Sequence, residues 1–156
     1  MYHQEKDMQW QCLSFDQLTT HQLYDLLKLR CDVFVVEQDC AYPELDDHDR
    51  QAGTHHLLGY QGNTLVAYLR LLPAGTTYDA VSIGRVVTAP VARGKGIGNQ
   101  LLEQGLAMTE QLWPGETIEI GAQSHLQHYY QRYGFEAYSE EYLEDGIPHI
   151  DMRLTK

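Results

Sequence analysis

The run Arg93-Gly94-Lys95-Gly96-Ile97-Gly98-Asn99 has the residue types and spacing to hold a phosphate. A β-branched stretch, Val81 to Thr88, leads into it. Apolar side chains at helical spacing follow it: Ile97, Leu101, Leu102, Leu106, Thr109 and Leu112. Strand, glycine-rich turn, helix is a phosphate-binding arrangement. The first amides of a helix have no partner inside it, and the helix dipole adds partial positive charge there. A pyrophosphate satisfies both when the backbone can be approached. Gly94, Gly96 and Gly98 remove side chains that would block the approach, and Arg93 and Lys95 add charge. Two commoner phosphate motifs are excluded. The Walker pattern needs a Gly-Lys-Ser/Thr that the chain lacks. The GxGxxG fingerprint fails because the glycines alternate and Leu101 stands where a small residue is needed.

The elements around this turn follow in order. Gln9 to Phe15 predicts a strand. Thr19 and Gln22 have capping-box spacing for a helix running through Leu23, Leu26, Leu27, Arg30, Cys31 and Phe34, which the β-branched Val33 to Val36 should loosen before Glu37. Asp39 to Gly53 is aperiodic and polar and is predicted to be a loop. His55–Tyr60 and Thr64–Leu72 flank Gln61-Gly62-Asn63 as a hairpin. The Val81 strand is next, then a helix from Gly96 to a stop at Trp113-Pro114-Gly115. Thr117 to Ala122 is a short strand. Ser124 to Tyr133 is a helix ending at Gly134. A final strand pair, Phe135 to Tyr138 and His149 to Leu154, encloses an acidic excursion. No repeat or linker divides the chain, so residues 1–156 are expected to form one domain.

Composition narrows the function. A net charge of −11 counts against nucleic acid, whose phosphates call for a basic face, and favours a cationic partner. No apolar run is long enough to span a membrane, and the polar first residues give no secretory signal. Three cysteines, Cys12, Cys31 and Cys40, with no CxxC, suit a reducing cytoplasm. Six carboxylates lie between Glu37 and Asp49. Their spacing matches no EF-hand, no metal site is expected, and most read as a solvated loop. Glu37 follows an apolar run and is expected to face inward. The chain has no GxSxG nucleophile elbow, so no acyl-enzyme is expected.

Arg-x-x-Gly-x-Gly after a strand ending Val-Val-Thr-x-Pro resembles the acetyl-coenzyme A motif of the GNAT superfamily of N-acetyltransferases. Tyr129-Tyr130-Gln131-Arg132-Tyr133-Gly134-Phe135 resembles the family's Phe-Tyr-Glu-Lys-Leu-Gly-Phe segment. Arg30-x-x-Val-Phe-Val-Val-Glu-Gln, and Ala122 to Gln127, look like the ElaA branch. Together these cover nearly the whole chain. The resemblance implies an α/β (α+β) acyl-CoA N-acyltransferase fold: a mixed, mostly antiparallel, twisted sheet of about seven strands flanked by helices, splayed between the fourth and fifth strands. It implies acetyl-CoA as co-substrate, held by Arg93 to Asn99. It implies a bulge at Val86-Val87-Thr88 whose amides meet the pantetheine arm and the acetyl carbonyl. It puts Tyr130 beside the cofactor sulfur. Tyr ordinarily titrates near ~10 and a thiol near ~8.5, so hydrogen bonding to the sulfur counts as much as proton delivery.

Glu37 and Arg30 are expected on the acceptor side. The acceptor would be a small-molecule or peptide amine, attacking the thioester directly. The base stays open among Glu119, His125, His128 and a water chain. Glu119 reads first as a solvated strand residue, and the histidines as surface or cap positions. The resemblance also allows a homodimer through the final strands. Two alternatives share its features: an acyl-homoserine-lactone synthase, which tends to lack this glycine turn, and a non-catalytic acyl-CoA sensor.

Overall fold

The computed structural model describes residues 7–156. β1 (Met8–Ser14) leads through a turn to α1 (Thr20–Arg30). The predicted capping box starts α1: Thr19 Oγ1 accepts from the Gln22 amide at 3.1 Å, and Gln22 Oε1 accepts from the Thr19 amide at 2.9 Å. The helix does not simply loosen at its β-branched end. It widens into a π-helical stretch, Cys31–Glu37. The loop that follows returns to β2 (His55–Gln61), β3 (Thr64–Leu72) and β4 (Val81–Thr88). α2 (Ile97–Leu112), β5 (Ile118–Gln123) and a short α3 (Gln127–Gln131) come next. The end of the chain forms β6 (Glu136–Ala137), β7 (Tyr142–Glu144) and β8 (Ile147–Leu154). α3 is shorter than the predicted Ser124–Tyr133 because Ser124–Leu126 coils as a 3-10 turn.

The strands make one sheet in the order β1-β2-β3-β4-β5-β8-β6, with β7 paired to β8. All pairs are antiparallel except β4–β5, which is parallel and holds only at Val81–Ile118 and Ser82–Glu119. Beyond Ser82 the two strands diverge, so the edge of β4 facing β5 loses its strand partner. This is the expected splay.

Alternation sorts the two faces. On β3, Leu69 faces α2, and a Cβ placed on Gly105 would lie 2.7 Å from Leu69 Cδ2. Gly105 is therefore where α2 seats closely on the sheet. Tyr68 and Arg70 point the other way, toward α1, where the Arg30 guanidinium lies 5.7 Å from the Tyr68 ring centre. With both faces covered, β3 is buried from Leu65 to Leu72. Ile83, Ile118, Ile120 and Met152 join the core from the α2 side.

Candidate active site

β4 carries one extra residue against β3. Val87 pairs with Tyr68, and the next pair is Gly84 with Arg70, so Arg85 and Val86 together oppose one partner. The expected bulge is therefore present one to two residues earlier than Val86–Thr88, and Val87 and Thr88 remain laddered to β3. Arg85 takes a left-handed conformation, φ 54°. For a side chain of this type that costs on the order of 1–2 kcal/mol and needs compensation. Arg85 Nε donates to Glu44 Oε2 at 2.7 Å, and its Nη2 donates to Glu44 O at 3.2 Å and to Asp46 Oδ2 at 3.4 Å.

That anchor belongs to a larger buried network. Arg30, with no side-chain exposure, donates to Asp49 Oδ1 at 2.6 Å and to Glu44 Oε2 at 3.2 Å. Arg70 donates to Asp46 at 2.8 Å and to Asp49 at 3.0 Å. Burial alone would raise the Asp46 and Asp49 carboxyls. The adjacent guanidinium groups hold both below the usual carboxylate range. His56 Nε2 donates to Asp49 O at 2.8 Å, so its Nδ1 accepts from the Tyr68 hydroxyl at 2.6 Å. Burial lowers this imidazole and keeps it neutral. The acidic loop is thus not the solvated segment expected for most of its carboxylates. Glu44 and Asp49 are buried and Asp46 is half-buried, because three arginines from α1, β3 and β4 converge on them. Arg30 is fully enclosed by this network and lines no open site.

The glycine turn lies at the α2 N-terminus. Gly94 and Gly96 have φ values of 80° and 78°, and a Cβ at either would meet nothing within 4 Å. The expectation was that glycine clears space. In the structure the left-handed backbone is what requires it at these two positions. No side chain among the described residues caps α2. Its first amides are free for an anion, and Lys95 has no partner among the described residues. The diphosphate of a coenzyme A fits this donor set. Arg93 is partly committed elsewhere: Nη1 donates to Glu37 Oε1 at 2.6 Å, and Nη2 to Thr88 O at 3.3 Å. Glu37 itself is exposed rather than inward-facing, since the π-helical stretch turns it out to meet Arg93.

α3 is fastened to this turn by two tyrosines that sequence patterning did not single out. Tyr129 donates to Gly98 O at 3.1 Å, and Tyr133 to Asn99 Oδ1 at 2.9 Å. The Arg132 guanidinium stacks 5.2 Å from the Tyr129 ring centre. At the end of α3, the Gly134 amide donates to Gln131 O and the Phe135 amide to Tyr130 O. This is a Schellman closure, with Gly134 at φ 97°. Tyr130 is held between Tyr129 and Phe135, edge to face with both. It is 7% exposed, and its hydroxyl has no hydrogen-bond partner among the described residues. Burial pushes its phenol up to about 12.

Tyr130, Val86 and Arg93 line a cleft of about 600 Å3 that runs through the gap between β4 and β5. On the α1 side its walls include Phe34, Tyr42, Tyr78, Gln123, Glu144 and His149. His125 also borders it but is exposed, and His128 lies outside it. Glu119 is not the solvated residue expected. It is 8% exposed, it does not border the cleft, and its oxygens accept from Tyr138 at 2.7 Å and Arg153 at 3.4 Å. Among the described residues no group of three His, Cys, Asp or Glu side chains is placed to hold a metal ion. No helix among them is long and apolar enough to cross a membrane.

An open sheet with a bulged fourth strand, a buried tyrosine at the cleft in its gap and a glycine turn that starts at the cleft with Arg93 define an acyl-CoA-dependent acyltransferase. The profile of the acetyltransferase (GNAT) domain matches residues 24–156, and the chain belongs to that family, in its ElaA-like branch. Protein ElaA of Escherichia coli strain K12 is 44% identical over 145 residues, 93% of this chain and 95% of that protein. A crystal structure described as an acyl-CoA N-acyltransferase from Pseudomonas aeruginosa is 50% identical. It superposes with a TM-score of 0.91, covering 94% of this chain and 99% of the other. The crystal structure of Escherichia coli ElaA is 43% identical with a TM-score of 0.89, covering 94% and 99%. A CoA-dependent acyl-homoserine lactone synthase shares the fold, with a TM-score of 0.70 at 18% identity.

Proposed function

We propose that the protein is a cytoplasmic acetyl-CoA-dependent N-acetyltransferase that acts on a primary amine in a ternary complex. The observation that carries this reading is Tyr130. Tyr130 borders the gap where β4 offers a backbone edge free of a strand partner, its hydroxyl has no partner among the described residues, and Arg93 at the start of the glycine turn borders the same cleft. When bound, acetyl-CoA would supply an activated acetyl thioester. Its diphosphate would rest on the amides of Gly96 to Asn99, assisted by Lys95 and by Arg93, and its pantetheine arm would lie along Val86 to Thr88. The same strand edge would stabilise negative charge developing on the acetyl oxygen.

Tyr130 acts in this scheme as a hydrogen-bond donor to the leaving sulfur. With a phenol near 12 and a thiol near 8.5, full proton transfer to the thiolate would be uphill by about 5 kcal/mol. A hydrogen bond stabilises the thiolate without that cost. The acceptor reaches the thioester from the α1 side. Arg70, Arg85 and Arg93 on the cleft wall are each already paired with carboxylates, while at its rim Glu144 has only His149 beside it and Asp145 has no ion-pair partner among the described residues. That balance, with the overall charge of −11, supports a cationic amine, either a small molecule or a peptide, over nucleic acid. A homodimer through the final strands belongs to the same proposal.

The test is thiol release from acetyl-CoA with polyamines, amino sugars and peptides as acceptors. Tyr130→Phe should bind acetyl-CoA within about twofold of the wild type and lose on the order of 10²-fold in kcat. A wild-type protein that binds acetyl-CoA and acetylates no amine would leave an acyl-CoA sensor.

A further inference from the structure

The geometry points to His149 as the general base that takes the proton from the acceptor amine, with Glu144 as the residue that positions it. This inference rests on the transferase function proposed above. A protonated amine has no lone pair for attack, so one proton must leave before the N–C bond forms.

His149 lies on β8 opposite Gln123 of β5, at the end of β5 where β4 has diverged. It borders the same cleft as Tyr130, and its side chain is 12% exposed. Three contacts fix the ring. It stacks on Tyr142, with centroids 6.1 Å apart and planes 26° apart. Nδ1 is 2.7 Å from Ile147 O. A carbonyl oxygen only accepts, so Nδ1 carries the hydrogen, and in the neutral ring Nε2 holds the lone pair. Nε2 lies 3.4 Å from Glu144 Oε2. In the neutral ring that places two acceptors face to face, whereas a proton on Nε2 turns the contact into an ion pair. Nε2 is therefore the ring atom free to take a proton, with the Glu144 carboxylate beside it.

The other candidates lack this arrangement. Glu119 is committed to Tyr138 and Arg153 away from the cleft. His125 is exposed, and no hydrogen bond among the described residues orients its ring. The groups facing His149 are Glu144 and Tyr142 from β7 and the uncharged Gln123 from β5. Asp151, on its own strand, is occupied by the Tyr78 and Tyr142 hydroxyls at 2.9 and 2.6 Å.

The proton balance is complete. The ammonium gives one proton to Nε2, and the freed nitrogen pair attacks the thioester carbon. The second proton leaves nitrogen as the C–S bond breaks, and it ends on the coenzyme A sulfur. The imidazolium returns its proton to water. The products are the N-acetyl amide, the free thiol and one proton.

Two measurements test the assignment. Long-range 1H–15N spectra of the unliganded protein at alkaline pH should show His149 as the Nδ1–H tautomer. The Nε2–H tautomer would overturn the assignment without touching the transferase function. Thiol release from acetyl-CoA, with spermidine as probe, should fall on the order of 10²-fold or more in kcat for His149→Gln. KM for acetyl-CoA should stay within about twofold, and the acidic limb of the pH–rate profile should disappear. Glu144→Gln, at an exposed site that leaves folding intact, should lower kcat about three- to tenfold and keep that limb. His149→Gln turnover within about threefold of wild type would overturn the proposal. A wild-type chain with the expected tautomer but no turnover of spermidine or any other amine would sink the transferase function, and the base with it.

Discussion

Arg30→Met removes one buried cation while keeping roughly the same volume, so it isolates charge from shape. In the folded protein Arg30 neutralises Asp49 and shares Glu44 with Arg85. Its loss leaves three carboxylates facing two arginines. Removing one partner of a buried pair costs about 3–5 kcal/mol. Two features pull the value to the low end. Asp49 keeps Arg70, and Glu44 keeps Arg85 and the Tyr42 hydroxyl. Arg30 Nε is itself buried without a partner, and losing it returns about 1 kcal/mol. The expected penalty is therefore about 3 kcal/mol, or about 6–12 °C in Tm for a chain of this length.

Urea unfolding followed by tryptophan fluorescence measures the penalty, and its pH dependence identifies the cause. The Asp49 carboxyl is lowered on folding, so its contribution is present above the unfolded value of about 3.9 and is lost as pH falls through the folded value. The variant lacks most of that contribution at neutral pH. The gap between variant and wild type should thus hold from neutrality down to about 4 and narrow as pH falls below it. Turnover should fall as well, because the loop that holds Arg85 in its left-handed conformation would lose one of its anchors. A penalty under about 1 kcal/mol, or one that does not change with pH, would refute this account of the network.

Gly96→Ala should cost about 1–2 kcal/mol in urea and weaken acetyl-CoA binding in calorimetry, since φ is 78° and the surrounding space is empty; Gly96→Asn should lose less. Gly105→Val should destabilise by about 1–3 kcal/mol, because even its Cβ would lie 2.7 Å from Leu69 Cδ2; an unchanged Tm would contradict the close seating of α2. His56 is lowered by burial, so its contribution is complete above the unfolded value of about 6.5 and declines as pH falls; His56→Gln should lack that limb of the stability profile. Burial pushes the Cys12 thiol up to about 11, so iodoacetamide at neutral pH should label it far more slowly in the folded protein than in urea, as mass spectrometry would show.

Much of the fold, and the backbone of the glycine turn, was legible along the chain. The α1 capping box, the β2–β3 turn, the glycine turn before α2 and the stop at Gly134 are contacts between residues a few positions apart. Local backbone chemistry decides them, and it is written in consecutive residue types. What the sequence left open, or pointed elsewhere, are contacts that join distant segments.

Glu44, Asp46 and Asp49 look like a solvated acidic loop because the arginines that neutralise them are Arg30, Arg70 and Arg85, 14 to 41 residues away. Glu37 faces outward to Arg93, 56 residues on, because the π-helical widening rotates it there. The bulge falls at Arg85 rather than at Val86–Thr88 because Glu44 and Asp46 compensate a backbone conformation that Arg85 would not adopt by itself. His149 carries no sequence signal; its ring is defined by Tyr142, Glu144 and the Ile147 carbonyl only once β7 and β8 have paired. The sequence by itself thus determined the turns, the caps and the left-handed glycine turn before α2, where the partners are neighbours. Tertiary structure decided the direction of the charged side chains, because only folding brings their counter-charges within reach and takes both out of water.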